Sequence, residues 1–255
     1  MKVALSGFGA MGRETANVLR KKGIPFATID PVASDADFTE LSSVSLAGID
    51  VVIDFTRPDA ALSNIERCCA LGKNLVMGTT GWYDSLDQVK ALVGKSGIGF
   101  LYATNFSIGV QMFLRIVAEA SRLVNGVADY DIFLREIHHA RKADSPSGTA
   151  LTLAETVLAN VGRKTSITTE TLDRKIEPGE LHVTSTRGGF VPGTHEVILD
   201  SEADTIELRH VARNRSGFAA GAVMAAEFIN GKSGVFTMDD LVSSLVRKDR
   251  GTREE

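Results

Sequence analysis

The stretch Lys2-Val3-Ala4-Leu5-Ser6-Gly7-Phe8-Gly9-Ala10-Met11-Gly12 joins a short apolar run to three glycines spaced Gly-x-Gly-x-x-Gly. A helical pattern through Thr15, Ala16, Val18 and Leu19 follows and stops at Gly23. A strand that enters a helix through such a loop is the first turn of a dinucleotide-binding unit. Gly7 allows the tight turn, Gly9 lets the backbone approach a pyrophosphate, and Gly12 lets helix and strand pack closely. The free N–H groups of the helix N-terminus then face the phosphates. A second strand, Ile24 to Ile29, ends at Asp30, whose carboxylate can accept hydrogen bonds from a ribose diol. A 2′-phosphate would meet that carboxylate with Pro31 beside it and no basic residue in sequence before Arg57. The sequence therefore predicts NADH as the preferred cofactor and NADPH as the second candidate. The competing reading is an α/β turn without a ligand.

Working outward, the alternation continues. Asp50 to Phe55 is nearly all apolar, as a strand buried on both faces should be. Pro58 opens a helix that runs to about Leu71 and stops at Gly72. Asn74 to Met77 is a strand, Ser85 to Val93 a helix and Ile98 to Ala103 a strand. This order predicts a parallel, doubly wound sheet. Ligands on such sheets bind beyond the carboxyl ends of the strands. Gly78-Thr79-Thr80-Gly81 and Ala103-Thr104-Asn105-Phe106 follow two strand ends, so they are candidates for the nicotinamide end, with two ordinary turns as the alternative.

After about Phe106 the rhythm changes. A longer helix, Ile108 to Val124, precedes a strand, Asp129 to His138, and a helix from about Ser147 to Val161. Glu180 to Arg187, His195 to Leu199 and Thr205 to Ala212 read as strands separated by Gly188-Gly189 and Pro192-Gly193 turns. The expected architecture is α/β. A Rossmann-like dinucleotide domain (1–106 and 215–255) carries an α+β substrate-binding and oligomerisation domain (107–214) with a mixed or antiparallel sheet. The last helix, Gly217 to Ile229, is expected to return to the first domain, and 247–255 reads as a charged, frayed tail.

Composition narrows the function classes. The 255 residues are 44% hydrophobic and 24% charged, with 28 Lys+Arg against 32 Asp+Glu and a net charge of −4. That is an ordinary soluble composition, and it argues against a partner that is nucleic acid or a membrane surface. The uncharged run Ser96 to Leu114 contains Thr104, Asn105, Ser107, Gln111 and glycines, so it is no membrane span. The N-terminus lacks a signal-peptide pattern. The two cysteines, Cys68 and Cys69, are adjacent; they read as helix residues near the core and point to a reducing, cytoplasmic setting.

The densest chemistry is Glu136-Ile137-His138-His139-Ala140-Arg141-Lys142-Ala143-Asp144-Ser145-Pro146-Ser147-Gly148-Thr149. His138, His139, Arg141 and Lys142 fall within five residues at the end of a strand, and Ser147-Gly148-Thr149 opens a helix. The helix N–H groups at Gly148 and Thr149, with the Thr149 hydroxyl, suit a carboxylate. His and Lys suit delivery of a proton to a centre becoming anionic. A solvated His-His pair is the bland alternative. No metal is expected, because no further ligands gather nearby. His182, His195 and His210 fall in strand patterns and read as structural.

The string His138-His139-x-x-Lys142-x-Asp144-x-Pro146-Ser147-Gly148-Thr149 resembles the signature of the dihydrodipicolinate reductases, now called 4-hydroxy-tetrahydrodipicolinate reductases. Met11-Gly12-Arg13, Asp54-Phe55-Thr56-Arg57-Pro58, Gly78 to Gly81, Asn105 to Val110, Val191-Pro192-Gly193-x-His195-Glu196 and Phe218-Ala219-x-Gly221-Ala222 agree with it, so the resemblance covers nearly the whole chain. It implies NAD(P)H-dependent reduction of a cyclic dicarboxylate in the diaminopimelate route to lysine, by a homotetramer. It implies that His138 is the proton donor and acceptor and Lys142 the second catalytic group. His139, Gly148 and Thr149 would contact substrate carboxylates. Gly7, Phe8, Gly9, Ala10, Met11, Gly12, Asp30, Gly78, Thr79, Thr80, Ala103, Thr104, Asn105 and Phe106 would hold the cofactor. The chain departs from the family in a glycine loop one residue shorter than the commoner form, in Pro31 and in Ser145. The segment 171–187 also looks shortened. Two other readings are an aspartate dehydrogenase and a non-catalytic dinucleotide sensor; a substrate panel separates them.

Overall fold

A computed structural model describes residues 1–251, with side chains through Val246. The chain divides into two compact units, Met1–Ile108 with Arg215 onward, and Gly109–Asn214.

In the first unit the apolar runs become parallel strands: β1 (Val3–Ser6), β2 (Phe26–Ile29), β3 (Val51–Asp54), β4 (Asn74–Met77), β5 (Gly99–Tyr102) and β11 (Gly234–Phe236). Their order is β11-β5-β4-β3-β1-β2, so the chain reverses direction across the sheet at the β1/β3 boundary, where open sheets form a crevice. Successive side chains of a strand point to opposite faces. Val3, Leu5, Val51 and Ile53 accordingly pack on one face with α1 (Ala10–Lys22), α6 (Ser216–Ile229) and α7 (Met238–Gly251). Ala4, Val52, Leu75 and Met77 pack on the other with α2 (Pro58–Ala70) and α3 (Leu86–Ser96), where Cys68 and Cys69 are buried free thiols. Gly221 lets α6 close on the Phe106 backbone: a Cβ there would stand 1.8 Å from the Phe106 carbonyl oxygen.

Sequence reading stopped short at the C-terminus. Gly217 to Ile229 is not the last element, because β11 adds an edge strand and α7 buries Met238, Leu241 and Val242. The expected tail is helical as far as Gly251, and 252–255 lie outside the described residues.

The second unit holds most of α4 (Ile108–Asn125), then β6 (Asp131–His138), α5 (Gly148–Asn160), β7 (Ser166–Thr168), β8 (Glu180–Arg187), β9 (Thr194–Asp200) and β10 (Thr205–Val211). The sheet order is β10-β9-β6-β8-β7. It is mixed: β8 runs parallel to β6 and β7, and β9 antiparallel to β6 and β10. Ile132, Leu134, Leu181, Val183, Val197 and Leu199 bury against α4 and α5. The short strand β7 has no counterpart in the sequence reading. Among the described residues no helix is long and apolar enough to cross a membrane.

Candidate active site

The first unit builds its site from backbone. Gly7 has φ +89°, and a Cβ there would lie 2.3 Å from the Phe55 carbonyl oxygen. A Cβ on Gly12 would lie 2.1 Å from the Gly7 oxygen, whereas one on Gly9 would meet nothing within 4 Å. Two glycines therefore close the turn, and the third leaves open space above it. Gly9 caps α1 without a side-chain hydrogen bond, and no acidic residue sits in the first turn at Ala10 and Met11. That is the free N-terminus an anion needs, so these residues fit a dinucleotide. A cavity of about 290 Å³ brings Gly9, Ala10 and Met11 together with Gly78, Thr79 and Thr80.

Asp30 is tied into the loop. Its Oδ2 accepts the Phe8 N–H at 2.7 Å, and Oδ1 accepts those of Val32 and Ala33 at 2.8 and 2.9 Å. Burial opposes its ionisation, but these N–H groups and nearby Arg13 outweigh burial and keep the carboxyl below its ordinary range. A cavity of about 620 Å³ continues from Asp30 past Thr56, Arg57, Asn64 and Arg67. The fold thus brings cations nearer than the sequence suggested. Each is already paired: Arg13 with Asp35 at 2.7 Å, Arg57 with Asp59 at 2.5 Å and Arg67 with Glu40 at 3.6 Å.

One residue of this region was given no role in the sequence reading. Asp54, fully buried at the end of β3, accepts hydrogen bonds from Thr56 Oγ1 and Thr79 Oγ1 at 2.7 Å and from Asn64 Nδ2 at 2.8 Å. It fastens the turns that follow β3 and β4. Beyond β5, Ala103 N–H bonds to the Met77 carbonyl, Thr104 is exposed, and the Asn105 side chain accepts the Ser107 N–H at 2.9 Å. Phe106 is buried edge-on to Phe55. Trp82 packs in the core against Phe100 and Tyr102 and donates to the Thr79 carbonyl at 2.8 Å.

The second unit builds its site from side chains. The inward face of β6 reads Ile132, Leu134, Glu136, His138, apolar first and then polar at the strand's end. In the ladder Glu136 stands opposite His195 of β9 and Ser185 of β8, and His138 opposite Arg187. Glu136, with 1% of its side chain exposed, is the hub. Its Oε1 accepts the Ser147 N–H at 2.9 Å, the Ser185 hydroxyl at 2.9 Å and the Arg187 guanidinium at 2.7 Å. Burial alone would raise its pKa, but the hydrogen bonds from Ser147, Arg187 and Ser185 prevail and hold it at about 2. Its Oε2 lies 3.0 Å from His138 Nδ1 without forming a hydrogen bond to it, and 3.6 Å from His195 Nε2.

Both imidazoles are held towards the neutral form. Burial lowers His138, helped by Lys142, Arg187 and His139 and opposed by Glu136. Burial, with His138 beside it, pushes His195 down to about 4. His195, read from the sequence as structural, stands beside His138. Its ring sits 5.2 Å from that of His138, and its Nε2 shares a 3.2 Å hydrogen bond with Ser147 Oγ. His210 packs 6.5 Å beyond it, while the His182 ring lies apart, 3.3 Å from the Glu170 carbonyl. Glu136, His138 and His195 each offer a ligand atom within 4.8 Å of the others, a donor set that metals also use. Arg187 binds the other oxygen of that carboxylate, Oε1, and leaves Oε2 facing the two rings.

The loop after β6 is pinned by backbone bonds from His139 N–H to the Val191 carbonyl at 2.8 Å and from Gly188 N–H to the His138 carbonyl at 2.9 Å. Lys142 Nζ lies 2.7 and 2.9 Å from the two oxygens of Asp144. Lys142, with the Gly148 backbone N–H, favours the ionised form of that carboxylate. Ser147 caps α5 by accepting the Ala150 N–H, and Thr149, half-buried, lies in the first turn. Glu136, Ser185, Arg187 and His195 are the residues sequence reasoning passed over. The polar positions on the apolar face of β6 were the available signal for Glu136.

Residues 1–106 match the family description "Dihydrodipicolinate reductase, N-terminus", and residues 109–242 match "Dihydrodipicolinate reductase, C-terminus". The chain is 37% identical to a protein of Christiangramia forsetii named 4-hydroxy-tetrahydrodipicolinate reductase, over 97% of this chain and all of the relative. It is 36% identical to one of the same name from Neisseria gonorrhoeae, over 77% of this chain and 74% of the relative. Among solved structures, a dipicolinate-bound dihydrodipicolinate reductase from Paenisporosarcina sp. TG-14 superimposes with a TM-score of 0.77 at 22% identity, covering 93% of this chain and 97% of that one. An amine dehydrogenase from Mycobacterium smegmatis shares the fold more loosely, with a TM-score of 0.58 at 12% identity over 92% and 94% of the two chains.

Proposed function

The chain belongs to the dihydrodipicolinate reductase family, and from that premise we propose which of its residues do the work. It is an oxidoreductase that reduces 4-hydroxy-tetrahydrodipicolinate in the diaminopimelate route to lysine, which sets aside the aspartate dehydrogenase and sensor readings. When bound, the reduced nicotinamide nucleotide supplies the hydride. Gly7 to Gly12 and the N-terminus of α1 hold its phosphates, Asp30 its ribose, and Gly78 to Thr80 with Ala103 to Phe106 its nicotinamide half. His139, Gly148 and Thr149 take the substrate carboxylates. Lys142 balances their charge and acts with His138, which delivers the proton to the ring centre that gains the electron pair.

The observation that supports this reading is a cation and a helix N-terminus already gathered on one carboxylate. Asp144 lies 2.7 Å from Lys142 Nζ, beside the first turn of α5, and Lys142 is near enough to His138 to depress that imidazole's pKa. A second anion brought beside His138 would raise that pKa, so a bound dicarboxylate draws in the proton it needs. The test is oxidation of NADH and NADPH with substrate generated in situ from pyruvate and aspartate semialdehyde. Wild type is compared with His138→Ala and Lys142→Ala. Turnover that survives both substitutions would refute the assignment.

We further propose NADH as the preferred cofactor. Asp30 is ionised, and Arg13, Arg57 and Arg67 are each engaged by an acidic partner, so none is free to receive a 2′-phosphate. A higher kcat/KM with NADPH would overturn this. The family resemblance supports a homotetramer, with Phe133, Ile206 and Val211 as exposed apolar side chains of the second unit for it to cover. Light scattering on the purified protein gives the mass. The paired free thiols support a cytoplasmic setting, where they stay reduced.

A further inference from the structure

We propose that Glu136 is the positioning residue for His138: its carboxylate fixes the Nδ1–H tautomer of the imidazole and leaves Nε2 as the atom that handles the proton. This rests on reading His138 as the proton-handling group.

The two oxygens of Glu136 are used unequally. Oε1 carries three donors, from Ser147, Ser185 and Arg187. Those donors fix the side chain and keep it ionised in a place where an isolated carboxylate would take a proton. Oε2 has no hydrogen-bond partner, and His138 Nδ1, 3.0 Å away, has none either. Two buried polar atoms left unsatisfied at that distance are a standing cost that one proton between them removes. If Nδ1 carries the hydrogen, a small turn of the ring makes it a charge-assisted bond to Oε2. If Nε2 carried it instead, the Nδ1 lone pair would face a carboxylate lone pair. The carboxylate therefore selects the tautomer.

The opposite edge of the ring is kept clear. A Cβ on Gly193 would stand 2.9 Å from His138 Nε2, so glycine there leaves that atom its space. The charged and titratable groups around His138 come from every neighbouring element: Glu136 on β6, Lys142 and His139 on the following loop, Arg187 on β8 and His195 on β9. Glu136 alone among them favours the imidazolium, and Lys142, Arg187 and His139 oppose it. Replacing Glu136 by Gln keeps acceptors for Ser147 and Ser185 but turns an amide N–H₂ towards Nδ1. That forces Nδ1 to accept and moves the hydrogen to Nε2.

The experiment is the Glu136→Gln variant, read in two ways. In ¹⁵N spectra of histidine-labelled protein, assigned with His138→Ala, neutral His138 is expected as Nδ1–H in wild type and as Nε2–H in the variant. In kinetics, kcat is expected to fall roughly 10- to 1,000-fold with KM changed less than about threefold. The limb where activity falls with rising pH should move at least about one unit lower, because the group favouring the imidazolium is gone. Glu136→Asp should recover part of both effects, and it carries the same readouts if the Gln variant does not fold. A wild-type His138 that is Nε2–H, or an unmoved tautomer and pH limb despite lost activity, would reduce Glu136 to a structural residue. Turnover indifferent to His138→Ala would refute the reading of His138 instead, and the spectra would still decide the tautomer.

Discussion

The two units place their chemistry at strand ends by opposite means. The first presents backbone: Gly7, Gly9 and Gly12 shape a turn, the first turn of α1 offers N–H groups, and Asp30, woven into the loop, is fastened by backbone donors. The second presents side chains: Glu136, His138, Ser185, Arg187 and His195 converge from three strands onto the Ser147 cap of α5. A backbone site fails when a Cβ enters it and tolerates much else. A side-chain site fails when one charge or donor is removed, because the remaining buried groups are left unpaired.

The sharpest way to break this contrast is to damage one site and watch the other. His138→Ala should lower kcat by about 100-fold or more while NADH affinity stays within about twofold, read by steady-state kinetics and by fluorescence titration of the nucleotide. A parallel loss of NADH binding would mean that the two sites are not separable. The converse lesion is Gly12→Ala, whose Cβ would press on the Gly7 carbonyl at 2.1 Å. It should cost about 1–3 kcal/mol in urea unfolding and weaken NADH roughly tenfold or more. Gly9→Ala, with open space at its Cβ and φ of −77°, should fold as well as wild type and lose only nucleotide affinity. Equal destabilisation by both would refute the division of labour among the glycines.

The same contrast explains what could be read in advance. A backbone site is local in sequence: the glycine spacing, the apolar run before it and the helix after it are all within one stretch, and the parallel sheet follows from their repetition. A side-chain site across strands is not local. His138 and Lys142 were legible because they share a string with Ser147 to Thr149. Glu136 lay in that string without a role, although Ile132, Leu134, Glu136 and His138 alternate onto one face. Its opposition to His195 and Ser185 depends on the register of β6 with β9 and β8, a property of the whole sheet. The three-residue strands β7 and β11 are too short for periodicity to register, and charge in α7 masked the buried Met238, Leu241 and Val242.

Asp30 sharpens the comparison from the other direction, as the side chain on which the backbone site depends. It holds the Phe8 N–H, and the proposed NADH preference gives it a second purpose, to repel a 2′-phosphate. Asp30→Asn removes the charge and keeps one acceptor oxygen, so it can hold either the Phe8 N–H or those of Val32 and Ala33 but not both. The NADPH-to-NADH ratio of kcat/KM should then rise by about tenfold, with a modest loss of thermal stability. If the ratio stays put and stability drops, Asp30 is a fastener of the loop and no selector of cofactor.

The last effect concerns acid, and it belongs to the second unit. His195 is depressed from 6.5 to about 4, so between those values the unfolded chain binds a proton that the folded one refuses. Stability conferred by the neutral, buried ring is complete above about pH 6.5 and is lost as pH falls towards 4. Glu136, depressed from 4.5 to about 2, adds a second loss in the next window down: the unfolded carboxyl protonates first, and stability goes as pH drops through 4.5 to 2. His195→Gln keeps a polar partner for Ser147 without a titrating group. Its unfolding free energy should fall less steeply with acid between pH 6.5 and 4, by at most about 1.4 kcal/mol per pH unit. The slope should not vanish, because burial depresses His138 and His210 in the same direction. Below pH 4.5 the variant should follow wild type, since Glu136 keeps its three donors. Urea midpoints measured at half-unit steps of pH test this. An unchanged slope in the upper window would mean that His195 is hydrated in the folded protein, and that the second unit shields its histidines no better than the first shields Asp30.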